Sequence, residues 1–166
     1  MMLEAQIVGI LAFLMVILAS FSSSKQKIVV THLIANVFYS LHYFLLGAVS
    51  GGSVCLVVVV SDFLLKNDKS KKELKKHSFI FTFLFLLVGI ITGTNILSLI
   101  PVITAIFTMY LLFKEDANEV RLGMVFVSLM WLLYGFIIKS YVICITEFIL
   151  AISSMIAYNK YKKRTG

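Results

Sequence analysis

The chain has 166 residues, 60% hydrophobic and 14% charged, with a mean hydropathy of +1.01 and a formal charge of +7. A soluble domain is about 45–50% apolar and about 25% charged, which excludes an ordinary water-soluble globule. The aromatic residues lie inside apolar runs and are not interleaved with the basic ones, which argues against nucleic acid as the partner of that charge.

Seven apolar stretches follow one another, at 5–21, 28–49, 53–65, 78–93, 96–113, 121–138 and 141–157. A membrane-spanning helix needs about 17–25 residues. The third stretch is short by that measure, and the fourth and seventh are near the limit; local bilayer thinning or burial among neighbours accommodates them. The first lacks a basic leader and is expected to stay as a helix rather than be cleaved. Cys55 and Cys144 both fall inside apolar runs and read as small buried side chains, not as a disulfide framework.

The connections alternate. Ser50-Gly51-Gly52, Gly93-Thr94-Asn95 and Lys139-Ser140 are short and nearly uncharged. The other set carries Lys25 and Lys27, the Lys66–Lys76 segment, Lys114 to Arg121, and the tail from Lys160 to Arg164. With that charged set in the cytoplasm, fourteen of the fifteen Lys and Arg residues lie inside, leaving Lys139 outside. The positive-inside rule then puts the amino terminus outside and the carboxyl terminus in the cytoplasm, with seven crossings.

The chain also repeats itself. Shifted by 88 positions, Val37–Gly47 lies over Val125–Gly135 with Val, Phe, Ser, Leu, Leu and Gly in register, and Tyr43 over Trp131. A fixed-period match marks an internal structural repeat. The basic segments after the first helix of each triplet lie on one side, so the two triplets are parallel, and the helix within 79–93 must connect them. The expected fold is an all-α membrane protein of seven transmembrane helices in a 3+1+3 arrangement of parallel triple-helix bundles. Residues 1–66 form the first repeat, 67–94 the basic loop and linker helix, 95–158 the second repeat, and 159–166 a basic tail.

Gln6, Gly9, Ala12, Ser20-Phe21, His42-Tyr43 and Leu45-Leu46-Gly47 in the first repeat, with Pro101, Trp131, Tyr134, Ser140 and Glu147 in the second, resemble the bacterial inner membrane protein YgjV family. The resemblance covers most of the chain. It implies a multi-pass protein of the bacterial inner membrane and a fold of the PQ-loop, MtN3 and SWEET-like kind. Sugar-carrying SWEET proteins have a proline in the first helix of each triplet. Here Pro101 stands alone and its partner at the 88-residue shift is Phe13, so sugar transport is not implied.

Glu147 is the most informative residue. A carboxylate in hydrocarbon is costly, so it should face the bundle interior or a wet cavity and carry a proton when unpaired. Cys144, Ala151 and Ser154 share its face. It reads either as a proton-titrating or solute-contacting group, or as a hydrogen bond between helices, to Ser128, Trp131 or Ser98. In the second helix His32, Asn36, Tyr39 and Tyr43 form a polar stripe, with His42 on the adjacent strip. Asn36, His42 and Tyr43 are candidate cavity residues or helix-to-helix glue. His32 reads as solvated near the interface, and Asp62 is expected to pair with Lys66.

Trp131 and Gly135 recur from the first repeat and should shape the interface between the halves. Pro101 should kink the fifth helix, and with Gly47 and Gly135 it is a candidate hinge. The first helix carries Ala5, Gly9, Ala12, Val16 and Ala19 as a packing seam, with Gln6 near its outer end. Three histidines at unrelated spacings give no metal signature. No cofactor motif and no catalytic constellation is visible, which points away from an enzyme.

The sequence therefore suggests a carrier of an unidentified small solute in the lipid bilayer, with Asn36, His42, Tyr43, Trp131 and Glu147 lining the site. The alternative is a non-transporting receptor or assembly protein on the same scaffold. A homo-oligomer is compatible with either reading.

Overall fold

The computed structural model describes residues 2–20, 25–65, 71–111, 114 and 116–165. It is all-α, with no strand among the described residues. The helices are α1 (Met2–Ser20), α2 (Lys25–Leu45), α3 (Val49–Leu65), α4 (Lys71–Thr92), α5 (Ile100–Leu111), α6 (Ala117–Ile137) and α7 (Tyr141–Thr165). A 3₁₀ turn, Ile96–Leu99, leads into α5. Among the described residues three helical stretches are long and apolar enough to cross a membrane: Lys75–Thr92, Asn118–Ile137 and Tyr141–Lys160. Met2–Leu18, Val49–Leu64 and Ile96–Leu111 are shorter apolar helices.

The distribution of side chains is inverted relative to a water-soluble bundle. Ile7, Leu14, Val37, Leu41, Phe44, Ile145, Phe148 and Ile152 are exposed, while Asn36, Ser40, His42, Ser61, Thr104, Ser128, Ser140 and Thr146 are buried. In water the rule runs the other way. In lipid, outward apolar side chains cost nothing and polar groups turn inward to find partners.

Helix contacts close a ring: α1 packs on α2, α2 on α3, α3 on α5, α5 on α6, α6 on α7, and α7 back on α1. Helix α4 lies outside this ring, against α3 and α5. Phe81 and Phe85 carry that contact, meeting Val54, Val102, Ala105 and Met109.

The corners α2–α3 and α6–α7 are built alike. Leu46 N–H bonds to His42 C=O, Gly47 N–H to Phe44 C=O and Ala48 N–H to Tyr43 C=O. In the second corner Ile138 bonds to Tyr134, Lys139 to Phe136 and Ser140 to Gly135 in the same pattern. Each corner turns on one left-handed residue, Gly47 at φ +73° and Lys139 at φ +58°, the geometry that commonly ends a helix. Lysine is strained there and glycine is not. Lys139→Gly should therefore stabilise the protein by about 1 kcal/mol, read as a raised unfolding temperature in detergent; an unchanged or lowered value would count against strain at this corner.

Several sequence expectations change in the structure. Ser50-Gly51-Gly52 is not the connection: these residues form the first turn of α3, and the corner is Leu46 to Ala48. The glycines are there for close approach. A Cβ on Gly51 would lie 2.8 Å from the Tyr134 ring, and one on Gly52 would lie 2.8 Å from Phe44. Pro101 is not in a helix interior, where it would make a kink. It is the second residue of α5, where its missing N–H is not needed. The Leu97 carbonyl, which proline leaves without its usual partner, accepts the Ile100 N–H instead. The helices also run past the apolar stretches into basic sequence, α4 beginning at Lys71 and α7 continuing to Thr165. The expected Asp62–Lys66 pair and the basic loop from 66 to 70 lie outside the described residues.

Candidate functional site

The inner faces of α2, α3, α6 and α7 converge about Glu147. It stands six residues into α7, about 9 Å along the axis. The outer face of α7, with Ile145, Phe148, Ile149 and Ile152, is exposed. Ile143, Thr146 and Ala151 are buried on the inner side, beside Glu147. The hydroxyl of Ser128 of α6, itself buried, faces the Glu147 carboxyl. Tyr39 and Tyr43 of α2 and Cys55 of α3 lie within its electrostatic reach. No described lysine or arginine does.

Above this group, towards the α6–α7 corner, sits an aromatic layer. Tyr43 stacks on Trp131 with ring centroids 5.7 Å apart and an interplanar angle of 24°. Tyr134 meets both, at 5.8 Å from Tyr43 and edge-on to Trp131 at 6.0 Å. Its hydroxyl accepts the Gly51 N–H at 3.2 Å. Tyr43 and Tyr134 are buried, whereas Tyr39, Trp131 and Glu147 keep partial exposure although they point inward. The Tyr39 hydroxyl is buried beside Thr146 without a well-formed hydrogen bond, and Thr146 gives its own proton to the Val142 carbonyl. An orphan hydroxyl beside a carboxyl is unusual in a packed interior.

Of the five residues singled out from sequence, three come together: Tyr43, Trp131 and Glu147. The other two join different networks. His42 is fully buried, with Nδ1–H donating to the Ala5 carbonyl at 2.6 Å and Nε2 accepting from the Ser140 hydroxyl at 2.7 Å. The carbonyl can only accept, which fixes the tautomer. Both nitrogens are committed, and the ring ties α1 and α2 to the start of α7. There the Ser140 hydroxyl accepts the Ile143 N–H and the Gln6 side-chain oxygen accepts the Val142 N–H.

Asn36 lies midway along α2, six residues before His42. Its amide donates to the His32 carbonyl at 3.0 Å and meets His32 Nδ1 at 3.2 Å. His32 is not merely solvated: it bridges to Asp62 of α3 at 2.8 Å. Of the proposed hinges, Gly47 has open space about it, while Gly135 is a packing glycine whose Cβ would lie 2.8 Å from Ile143. Pro101 is buried at the start of α5.

Sequence reasoning saw Tyr39 in the polar stripe and Ser128 as a partner for Glu147, but put neither in the site. Cys55 and Thr146 gave no signal, being ordinary small residues in apolar runs. No group of three or more His, Cys, Asp or Glu able to hold a metal occurs among the described residues.

Neither curated proteins nor solved structures give a match to this chain. A family model described as a bacterial inner membrane protein, Imp-YgjV, matches residues 3–165. That span takes in every helix of the ring and the whole Glu147 group, and so the chain belongs to the Imp-YgjV family of bacterial inner membrane proteins.

Proposed function

We propose that this inner-membrane protein carries a small polar solute by alternating access between two three-helix halves, α1–α3 and α5–α7, with α4 as the connecting span. This is the 3+1+3 plan of PQ-loop and SWEET-like carriers. The halves correspond by a shift of 92 residues: Lys25 and Ala117, Leu45 and Ile137, and Val49 and Tyr141 stand that far apart. The interfaces α1–α7 and α3–α5 exchange under this shift, as a pseudo-two-fold axis along the membrane normal requires. With seven crossings, the charge rule supports an amino terminus outside and a carboxyl terminus in the cytoplasm.

The observation that carries this reading is the position of Glu147, inward-facing at the seam of the halves and behind the aromatic layer. The hydrogen bonds between halves support it. His42–Ser140, Gly51–Tyr134, Ser50–Ser98 and Gln6–Val142 all lie at the end with the short loops. At the charged end, His32–Asp62 and Lys114–Glu119 each stay within one half. Such a molecule is clasped at its outer end, and a path to Glu147 would open from the cytoplasmic side.

In a background lacking Cys55 and Cys144, Ser128→Cys should react with an impermeant maleimide from the charged-loop side of oriented vesicles and not from the other. Lys139→Cys should react only from the outside of intact cells. If Ser128→Cys is shielded from both sides under every condition, there is no path and the carrier reading fails in favour of a receptor or assembly role. Labelling of Lys139→Cys only after permeabilisation would reverse the orientation.

A further inference from the structure

We propose that the solute is a small organic cation, an amine or quaternary ammonium, held by the Glu147 carboxylate and the aromatic faces of Trp131 and Tyr39, and exchanged there for a proton. This rests on the carrier reading and names its substrate class.

The charge at the site decides the sign. Among the described residues Glu147 is the only carboxyl reaching the site, the one group there able to supply a negative charge, and no described lysine or arginine faces it. An anionic solute would meet a carboxyl and aromatic faces, with nothing to pair its charge. A cation would find a counter-ion and the negative faces of tyrosine and tryptophan, which attract ammonium groups within about 6 Å of the ring. The Ser128 hydroxyl lies at the same carboxyl, and Tyr39, beside Thr146, is within its electrostatic reach. The unpaired Tyr39 hydroxyl supplies a free dipole where a solute hydroxyl or N–H would lie. Aromatics with partial exposure on an inner face are also what a solute would contact.

One carboxyl cannot hold a proton and a bound cation at once. Binding is therefore the exchange of a carboxylic acid and a free ammonium for a carboxylate–ammonium pair and one released proton, with charge conserved. The other titratable groups facing Glu147 are Tyr39 and Tyr43 from α2 and Cys55 from α3, with Cys144 one turn away on α7. Phenols and thiols ordinarily titrate near pH 10 and 8.5, so the proton exchanged below neutrality belongs to Glu147. Helices α1 and α5 bring no charged group to it among the described residues.

Trp131 is the sole tryptophan, so its emission reports occupancy directly. Choline and its neutral isostere 3,3-dimethyl-1-butanol serve as probes, with acetate as the anion, on the purified full chain in detergent. Choline should shift Trp131 emission saturably and release about one proton per molecule bound in weakly buffered solution at acid pH. Glu147→Gln should weaken choline at least about tenfold, a loss of one strong contact, while Glu147→Asp should retain most of the affinity. If the neutral isostere binds as well as choline, or if acetate is the ligand that binds, the cation assignment is overturned and the carrier reading stands. If choline binds with no proton release, the exchange is overturned. If no probe of any charge shifts the emission while Ser128→Cys is also shielded from both sides, the carrier reading falls with it.

Discussion

Glu147→Gln will flatten the pH dependence of solute binding and flux in reconstituted vesicles, while the protein still inserts. Glutamine is close in shape to a protonated glutamate and can still hydrogen-bond the Ser128 hydroxyl that faces this side chain. The packing of α6 against α7 is then preserved. What glutamine cannot do is ionise. With glutamate present, the apparent affinity for a cation should rise about tenfold per pH unit while the carboxyl is mostly protonated, and level off once it is ionised, by proton linkage. With glutamine, affinity should be low and level across the range. The sign is diagnostic: a solute needing the protonated carboxyl would show affinity falling as pH rises. If the variant retains the wild-type pH profile, Glu147 has no coupling role and the carboxyl is only a clip between helices. Ser128→Ala separates the two contributions, because it removes the clip and keeps the charge. It should leave the direction of the pH dependence unaltered.

The membrane character, the number of helices and the inward position of Glu147 were legible because each rests on one-dimensional signals. Run length, charge placement and a carboxylate within an apolar segment can be read without knowing what touches what. The register of the two proposed halves was not. Identities between Val37–Gly47 and Val125–Gly135 select a shift of 88, whereas the corners, Gly47 against Lys139, correspond at 92. The difference is about one helical turn. Such a slip keeps nearly the same residues on the inner face, so sequence patterning cannot detect it.

The correspondence at 92 sets Cys55 against Glu147 and Asn36 against Ser128. In the proposed repeat the position equivalent to Glu147 therefore holds a buried cysteine and no carboxyl. The glycines misled for a related reason. A glycine freeing a turn and a glycine admitting a neighbour's ring look the same in sequence, and only Gly47 of that cluster has a positive φ. Pro101 was legible as a helix disturbance but not as a helix start, because the preceding 3₁₀ turn is as apolar as the helix it leads into. His42 was legible as an intramembrane polar group. Its partners were not, since Ser140 is 98 residues away.

His42→Ala should have the second large effect, on stability and on access together. The imidazole fills a fully buried space between α1, α2 and α7, with Gly9 so close that a Cβ there would lie 2.9 Å from Nδ1. Truncation removes two hydrogen bonds and leaves a void that α1 cannot fill without moving. Hydrogen bonds between membrane helices are worth about 0.6–2 kcal/mol each, and large-to-small changes at packed sites cost about 2–5 kcal/mol. A loss of about 3 kcal/mol is expected, measured as a lower midpoint in unfolding from mixed micelles.

The bridge from His42 to Ser140 joins the halves at the short-loop end, so it should stabilise the state closed at that end. Losing it shifts the population towards the state open there, by about tenfold for each 1.4 kcal/mol of differential stabilisation. Ser128→Cys combined with His42→Ala should accordingly begin to label from the short-loop side. His42→Gln can retain one of the two bonds and should fall between the wild type and alanine in both measurements. A stability loss without any change in labelling would make His42 an ordinary packing residue. No loss in either would mean that the Ala5–His42–Ser140 chain does not hold the outer end shut.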